Sequence, residues 1–163
     1  MEQKTENGGV APVFRPNLAG CVAKDLRMAR WIEECYAGAL ASMAAYTYRS
    51  LMTEQSDPDL SRQLDGMSAE KAEHFRLLGE LILALGADPG LRAQIRVGGS
   101  ERRSRDGGER TALLRDALRE EKWAVDRMQT LMGRTEDRVV RSLLSYLISD
   151  GERCISVLEA ATG

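Results

Sequence analysis

Proline, cysteine and histidine are scarce in this chain of 163 residues, which has four prolines, three cysteines and one histidine. The three cysteines, Cys21, Cys35 and Cys154, are widely spaced and form no CxxC pair. This spacing argues against a disulfide framework and against a zinc knuckle, so we expect reduced thiols. The prolines fall in the N-terminal segment or at apparent helix boundaries, which leaves long stretches free to form helices.

The chain also lacks an excess of positive charge and any long apolar run. Lys and Arg number 23 against 25 Asp and Glu, giving a net charge of -2. This balance provides no positive field that would hold nucleic acid or an anionic membrane. No stretch has the length and hydrophobicity of a signal peptide or a membrane span. We therefore expect a cytoplasmic protein with no nucleic-acid or membrane partner.

One all-α domain is predicted from the length and from a composition rich in helix-forming residues. Residues 1–20 contain glycine and proline without periodicity, so we expect a flexible N-terminal tail followed by one domain over 21–163. Residues 87–108 form a glycine-bearing, charged connection that we expect to be mobile. Long helices are predicted over residues 22–54, 58–85, 109–132 and 135–160.

Each predicted helix is apolar along one seam except near its middle. In the second helix, apolar residues recur at alternating intervals of four and three, which is typical of a helix that faces partners in a bundle. Lys71 and His74 lie inside this seam, and Glu121 lies inside the seam of the third helix. The same rhythm predicts one layer across the middle of the bundle, made of Ala39, Lys71, His74, Glu121, Gly151 and Cys154.

Four segments resemble those of rubrerythrin-related, ferritin-like bacterial proteins. They are residues 45–48 (AYTY), 74–82 (HFRLLGELI), 121–125 (EKWAV) and 149–154 (SDGERC), in the order in which that family has them. The resemblance covers roughly residues 22–161. It implies a ferritin-like four-helix bundle with a long crossover connection between its second and third helices.

The resemblance also implies where the family's metal ligands fall. Only His74 and Glu121 keep a residue of the family's ligand type, and Lys71 stands where a ligand glutamate is expected. An ammonium at that position repels incoming cations and balances Glu121 without metal, so we expect the di-iron or di-manganese site to be lost and no cofactor to be bound. The six positions are Ala39, Lys71, His74, Glu121, Gly151 and Cys154.

Several residues near this layer have more than one interpretation. His74 fits a remnant metal ligand, a core histidine with a hydrogen-bond partner, or a general base. Cys154 fits a small buried filler, or a thiolate that holds a single zinc or copper ion with His74 and Glu121. Glu70 and Asp150 lie beside the seam, where they are either solvated or alternative metal ligands.

Two hypotheses about function follow from the layer. The first is a non-catalytic structural or interaction module, forming a homodimer and binding an unknown protein partner. The second is a metal-dependent oxidase or a peroxide- or iron-handling protein that uses iron or manganese through a shifted ligand set. Because Lys71 and Glu121 share this layer, we predict an ion pair or a water-bridged pair between them in the bundle interior, with His74 hydrogen-bonded nearby. Gly151 is expected to make room for a bulky neighbour such as Lys71.

Overall fold

Four long helices make up most of the protein. A computed structural model describes Leu18, residues 20–90 and residues 107–163; side chains in the third helix are described from Arg110 onward. Within these segments no strand occurs, and no helix is long and apolar enough to cross a membrane. The predictions for the tail over 1–20 and the connection over 87–108 fall largely outside the described residues. The helices are α1 (Leu26–Thr53), α2 (Pro58–Ala84), α3 (Gly107–Met132) and α4 (Arg138–Thr162).

Capping aspartates fix the first residues of α1 and α2. Asp57 accepts a hydrogen bond from the amide three residues later, and Pro58 follows as the first helical residue, so α2 begins where the sequence predicts. The predicted start of the first helix at residue 22 is wrong. Asp25 accepts a hydrogen bond from the Met28 amide at 3.0 Å and starts the helix at Leu26.

The helices run in the directions that the predicted crossover requires. Short connections join α1 to α2 and α3 to α4, so each pair is antiparallel. Arg110, near the start of α3, forms an ion pair of 3.1 Å with Asp57 at the start of α2. The starts of α2 and α3 therefore lie at the same end of the bundle, and these two helices run parallel. Sideways, α1 packs beside α3 and α2 packs beside α4.

Buried apolar side chains form two clusters with polar residues between them. Along α2, Met67 belongs to the smaller cluster and Leu77 to the larger one, and Lys71 and His74 lie between the two. The bundle core is thus divided by one layer of polar side chains. The seam predicted for α2 is confirmed by the burial of Leu60, Leu64, Met67, Leu78, Leu81 and Leu85.

Candidate functional site

The predicted layer exists, and all of its members are buried. Lys71 is 5% exposed, His74 4% and Glu121 2%, which is unusual for residues that carry or can carry charge. We call this set of six residues the polar layer. Its members are Ala39, Lys71, His74, Glu121, Gly151 and Cys154.

Lys71 and Glu121 form an ion pair inside the polar layer. The Lys71 ammonium donates to Oε1 of Glu121, as the sequence predicts. Oε2 of the same carboxylate accepts a hydrogen bond of 2.7 Å from the hydroxyl of Tyr46 on α1. Burial and the adjacent Glu121 carboxylate raise the pKa of Tyr46, which keeps the phenol protonated as a donor. Both oxygens of Glu121 are therefore engaged by groups of the chain itself.

His74 is hydrogen-bonded, as expected, and its partner is Asp150. The Nε2 atom of His74 lies 2.9 Å from Oδ2 of Asp150 on α4. This hydrogen bond lowers the pKa of the Asp150 carboxyl, and Arg153 one turn later adds to the effect. The alternative that Asp150 is a solvated flank residue is wrong, because its side chain is only 19% exposed and binds the imidazole.

The three cysteines are free and differ in burial. Cys21 is exposed, Cys35 is partly buried and Cys154 is buried. Burial raises the pKa of Cys35 to about 11 and that of Cys154 to about 12, so both stay as thiols near neutral pH. The Cys154 Sγ atom lies 3.6 Å from a carboxylate oxygen of Glu70, within reach of a weak hydrogen bond. Cys154 also belongs to the smaller apolar cluster, which fits its interpretation as a buried filler.

Gly151 makes room for a bulky neighbour, but the neighbour is not Lys71. A Cβ atom added at Gly151 would lie 2.5 Å from Cγ2 of Val125 and 3.5 Å from Oε1 of Glu121. The expectation of the Lys71 chain is therefore wrong, because the branched Val125 of α3 fills the space. Gly151 lets α4 approach α3 at the level of the ion pair.

A cavity of about 820 Å³ opens between α1 and α3 and reaches the polar layer. We call it the α1–α3 cavity. The cavity exists where the residues of α1 are small. Lys71 and His74 contribute to its lining from α2. Trp123, which is 59% exposed, lines it from α3. The small α1 residues are Gly38, Ala39, Ala41, Ser42 and Ala45.

Two ion pairs join α1 and α3 across this cavity. In each pair, the arginine has one N–H donor with no acceptor among the described residues. Arg49 of α1 donates to Glu120 of α3 at 2.8 Å, and Arg127 of α3 pairs with Glu34 of α1. Arg49 is 6% exposed, yet its Nη1 atom has no hydrogen-bond acceptor among the described residues. The same holds for Nε of Arg127. The lining of the cavity thus contains cationic groups with unsatisfied N–H donors, which are rare in protein interiors.

The residues that the structure describes do not fit a pair of metal ions. Ferritin-like two-metal sites use carboxylates and histidines that project together from four helices. Within residues 18–90 and 110–163, as far as they are described, no three His, Cys, Asp or Glu side chains converge closely enough to hold a metal ion. Glu121 is held by Lys71 and Tyr46, and His74 by Asp150, so the two remnant ligand types already have partners in the chain.

Sequence reasoning missed the contacts that three residues make in this site. Tyr46 lies on the predicted seam of α1, and a tyrosine there is a signal for a polar partner in the core. Asp150 lies one residue outside the seam of α4, where the heptad pattern alone gives no sign of its contact with His74. Arg49 carries no sequence signal, because its burial depends on how close α3 approaches α1.

The helix arrangement is similar to that of a known ferritin-like protein. No protein-family model matches the chain, and no curated protein matches it. Among solved structures, a bacterioferritin of Rhodobacter capsulatus with a metal-free dinuclear site and a heme iron matches with a TM-score of 0.74. The two are 17% identical, and the match covers 86% of each chain. The expected ferritin-like four-helix fold is confirmed.

Proposed function

We propose that this chain is a non-catalytic, ferritin-like interaction module in which an internal ion pair has replaced the two-metal site. The observation that carries the proposal is the buried ion pair between Lys71 and Glu121, at two positions where the resemblance implies ligand glutamates. A relation to rubrerythrin-related proteins, suggested by the segments around His74 and Glu121, is part of the same proposal.

Electrostatics supports this interpretation. A cluster of carboxylates without metal repels itself, and divalent cations relieve that repulsion. Here Lys71 supplies the compensating charge, and Tyr46 saturates the second oxygen of Glu121. A divalent cation at Glu121 would have to displace a buried ammonium from its partner. Leaving that ammonium unpaired in the interior costs several kcal/mol, about 3–5 by comparison with other broken buried pairs.

Metal analysis tests the proposal directly. The protein is expressed with iron and manganese supplied, purified without chelators and assayed for metal per chain by mass spectrometry. We expect far less than one iron, manganese or zinc ion per chain, and no change in melting temperature when metal is added. Two metal ions per chain in the unmodified protein would overturn the proposal. That result would favour an oxidase or peroxide-handling protein with ligands shifted to Glu70 and Asp150.

A homodimer in the cytoplasm belongs to the same proposal. Large apolar side chains are exposed at Leu26 (62%) and Leu83 (60%), which lie at the same end of the antiparallel α1–α2 pair. A second copy of the chain is the occupant that we expect to cover them. Sedimentation velocity checks this expectation, because Leu26→Ser with Leu83→Ser should shift a dimer toward monomer. A wild-type protein that sediments as a monomer contradicts it.

A further inference from the structure

The α1–α3 cavity has the dimensions of a small-molecule site. Its volume of about 820 Å³ lies within the range of roughly 300–1,000 Å³ that ligand pockets occupy. Lys71 and His74 line it although they are 5% and 4% exposed, so part of the cavity lies deep in the bundle. The exposed Trp123 lines the outer part of the same cavity, so a slender molecule could extend from the surface toward these two buried residues.

The acidic residues of the lining do not call for a cation. Glu34, Asp116 and Glu120 are each paired with an arginine that also lines the cavity. The groups left over are donors: Nη1 of Arg49, and Nε of Arg127. Because these two arginines pair with α1 and α3 at different levels of the bundle, one carboxylate can reach only one of them, and Arg49 is the more buried. A ligand that satisfies Nη1 of Arg49 must bring acceptor oxygens. A carboxylate does so best, because its hydrogen bonds to a guanidinium are charge-assisted and suit the planar geometry of arginine.

Apolar side chains from three helices also line the cavity and favour a ligand with an apolar part. Ala39 and Ala45 line the cavity from α1, Leu113 and Met128 from α3, and Leu147 from α4. Burying apolar ligand surface against such residues is favourable because it removes that surface from water.

We propose that the α1–α3 cavity binds a small monocarboxylate with an apolar chain, whose carboxylate contacts Arg49 and whose chain lies against the apolar lining. The inference deepens the proposed function by naming a ligand class. It rests on that function in one respect: the ion pair between Lys71 and Glu121, and not a metal site, lies next to the cavity.

Isothermal titration calorimetry with decanoate, below its micelle concentration, tests the inference on the full chain. We expect one decanoate per chain and binding of decanol weaker by about tenfold or more, because decanol lacks the charge that Arg49 recognises. Arg49→Met should weaken decanoate binding by a similar factor. Removing Arg49 also breaks its pair with Glu120, so a second variant is needed in case this one does not fold.

Ala45→Leu supplies that second variant. The added carbon atoms extend into the cavity and should abolish decanoate binding while the helices stay folded by circular dichroism. Ala44→Leu is the matched control, because Ala44 is the neighbouring residue of α1 and does not line the cavity. It should bind decanoate as the wild type does.

Three results would overturn the inference. They are no decanoate binding by the folded wild type, equal affinity for decanoate and decanol, and decanoate binding that Ala45→Leu leaves unchanged. Decanoate that binds only as it converts a dimer to monomer in sedimentation would also overturn it, in favour of a second copy as the occupant. Metal content is measured on the same sample, so failure of the proposed function is distinguished from failure of ligand binding.

Discussion

Lys71 is the residue whose surroundings most distinguish this bundle from one built to hold metal. Its ammonium has a carboxylate partner at 2% exposure, and Tyr46 hydrogen-bonds the other oxygen of that carboxylate. A buried pair of this kind adds little stability over an apolar replacement, but it is costly to break on one side. Replacing one member of the pair should therefore destabilise the protein more than replacing both with apolar residues.

A double-mutant cycle measures this coupling. Lys71→Met and Glu121→Leu alone should each lower the free energy of unfolding by about 3–5 kcal/mol, since each leaves a charge buried without its partner. The double variant should regain most of that loss. Urea unfolding of the four proteins checks the prediction, and additive losses would show that the two residues do not interact.

The exposed pair between Lys122 and Glu159 is the control for this cycle. Lys122 neighbours Glu121 in sequence, but the two side chains are 55% and 53% exposed and lie 3.2 Å apart. Exposed pairs of this kind are worth about 0–1 kcal/mol, because water and salt screen them. Lys122→Met and Glu159→Leu should therefore show almost no coupling.

The contact between His74 and Asp150 predicts a dependence of stability on pH. The hydrogen bond lowers the folded-state pKa of Asp150 below its ordinary value of 3.8. A lowered carboxyl pKa stabilises the fold above the unfolded-state pKa, and this contribution is lost as pH falls through the folded-state pKa. Wild type should therefore melt higher than Asp150→Asn at pH 6, and the difference should shrink below pH about 4.

Asp65→Asn is the matched control for the pH series. Asp65 is an exposed carboxylate on α2, so its substitution should change the melting temperature little at any pH. Thermal melts of the three proteins from neutral to acid pH decide the matter. A difference between wild type and Asp150→Asn that stays constant into acid would show that the carboxylate charge contributes nothing.

At the scale of the helices, the seams were predictable and the contacts between them were only partly so. The spacing of apolar residues in α2 placed Lys71 in the interior, because a side chain inside an apolar seam has nowhere else to lie. The start of α1 was missed by four residues. Val22 is apolar and buried and so resembles a helix-seam residue, but it lies before the helix, which begins after the capping residue Asp25. The neighbour of Gly151 was missed because it depends on how far α3 is rotated.

Gly151 sets the distance between α3 and α4, so a methyl group there should be costly. Gly151→Ala removes a helix penalty of up to about 1 kcal/mol, but its Cβ would lie 2.5 Å from Cγ2 of Val125. Overpacking of this kind typically costs about 1–3 kcal/mol, so we expect a net loss of stability. Val125→Ala in the same chain should recover part of it.

Gly66→Ala is the control, because a Cβ added at Gly66 in α2 meets nothing within 4 Å. This substitution should raise the free energy of unfolding by up to about 1 kcal/mol. Chemical denaturation compares the variants. If Gly151→Ala stabilised the protein as Gly66→Ala does, close packing of Val125 against α4 would be excluded.

At the scale of the whole molecule, the proposed loss of the metal site predicts that ligands introduced into the polar layer should bind metal. A rebuilt variant keeps Glu121 and His74 and gains three glutamates and one histidine, which makes four glutamates and two histidines in all. These side chains should project into the same interior, because residues three apart share a helix face. It should be poorly stable without metal and should gain melting temperature with iron or manganese. Its substitutions are Ala39→Glu, Lys71→Glu, Val125→Ala, Gly151→Glu and Cys154→His.

The same variant with Lys71 retained is its control. The ammonium should keep metal content low even when the other ligands are present, since it repels cations from the layer. Metal analysis and melts with and without added metal compare the two proteins. A folded rebuilt variant that binds no metal would show that the assigned ligand positions are wrong.

Because the three cysteines differ in burial, we expect only one of them to react readily with alkylating reagents. Alkylating reagents attack the thiolate, and burial keeps Cys35 and Cys154, with pKa values of about 11 and 12, protonated at neutral pH. Cys21 is exposed and precedes α1. One equivalent of maleimide dye at pH 7 should therefore attach at Cys21, as peptide mass mapping would verify, and Cys21→Ser should remain unlabelled. A fluorophore or a surface tether can thus be joined to one defined point beside the bundle without touching its interior.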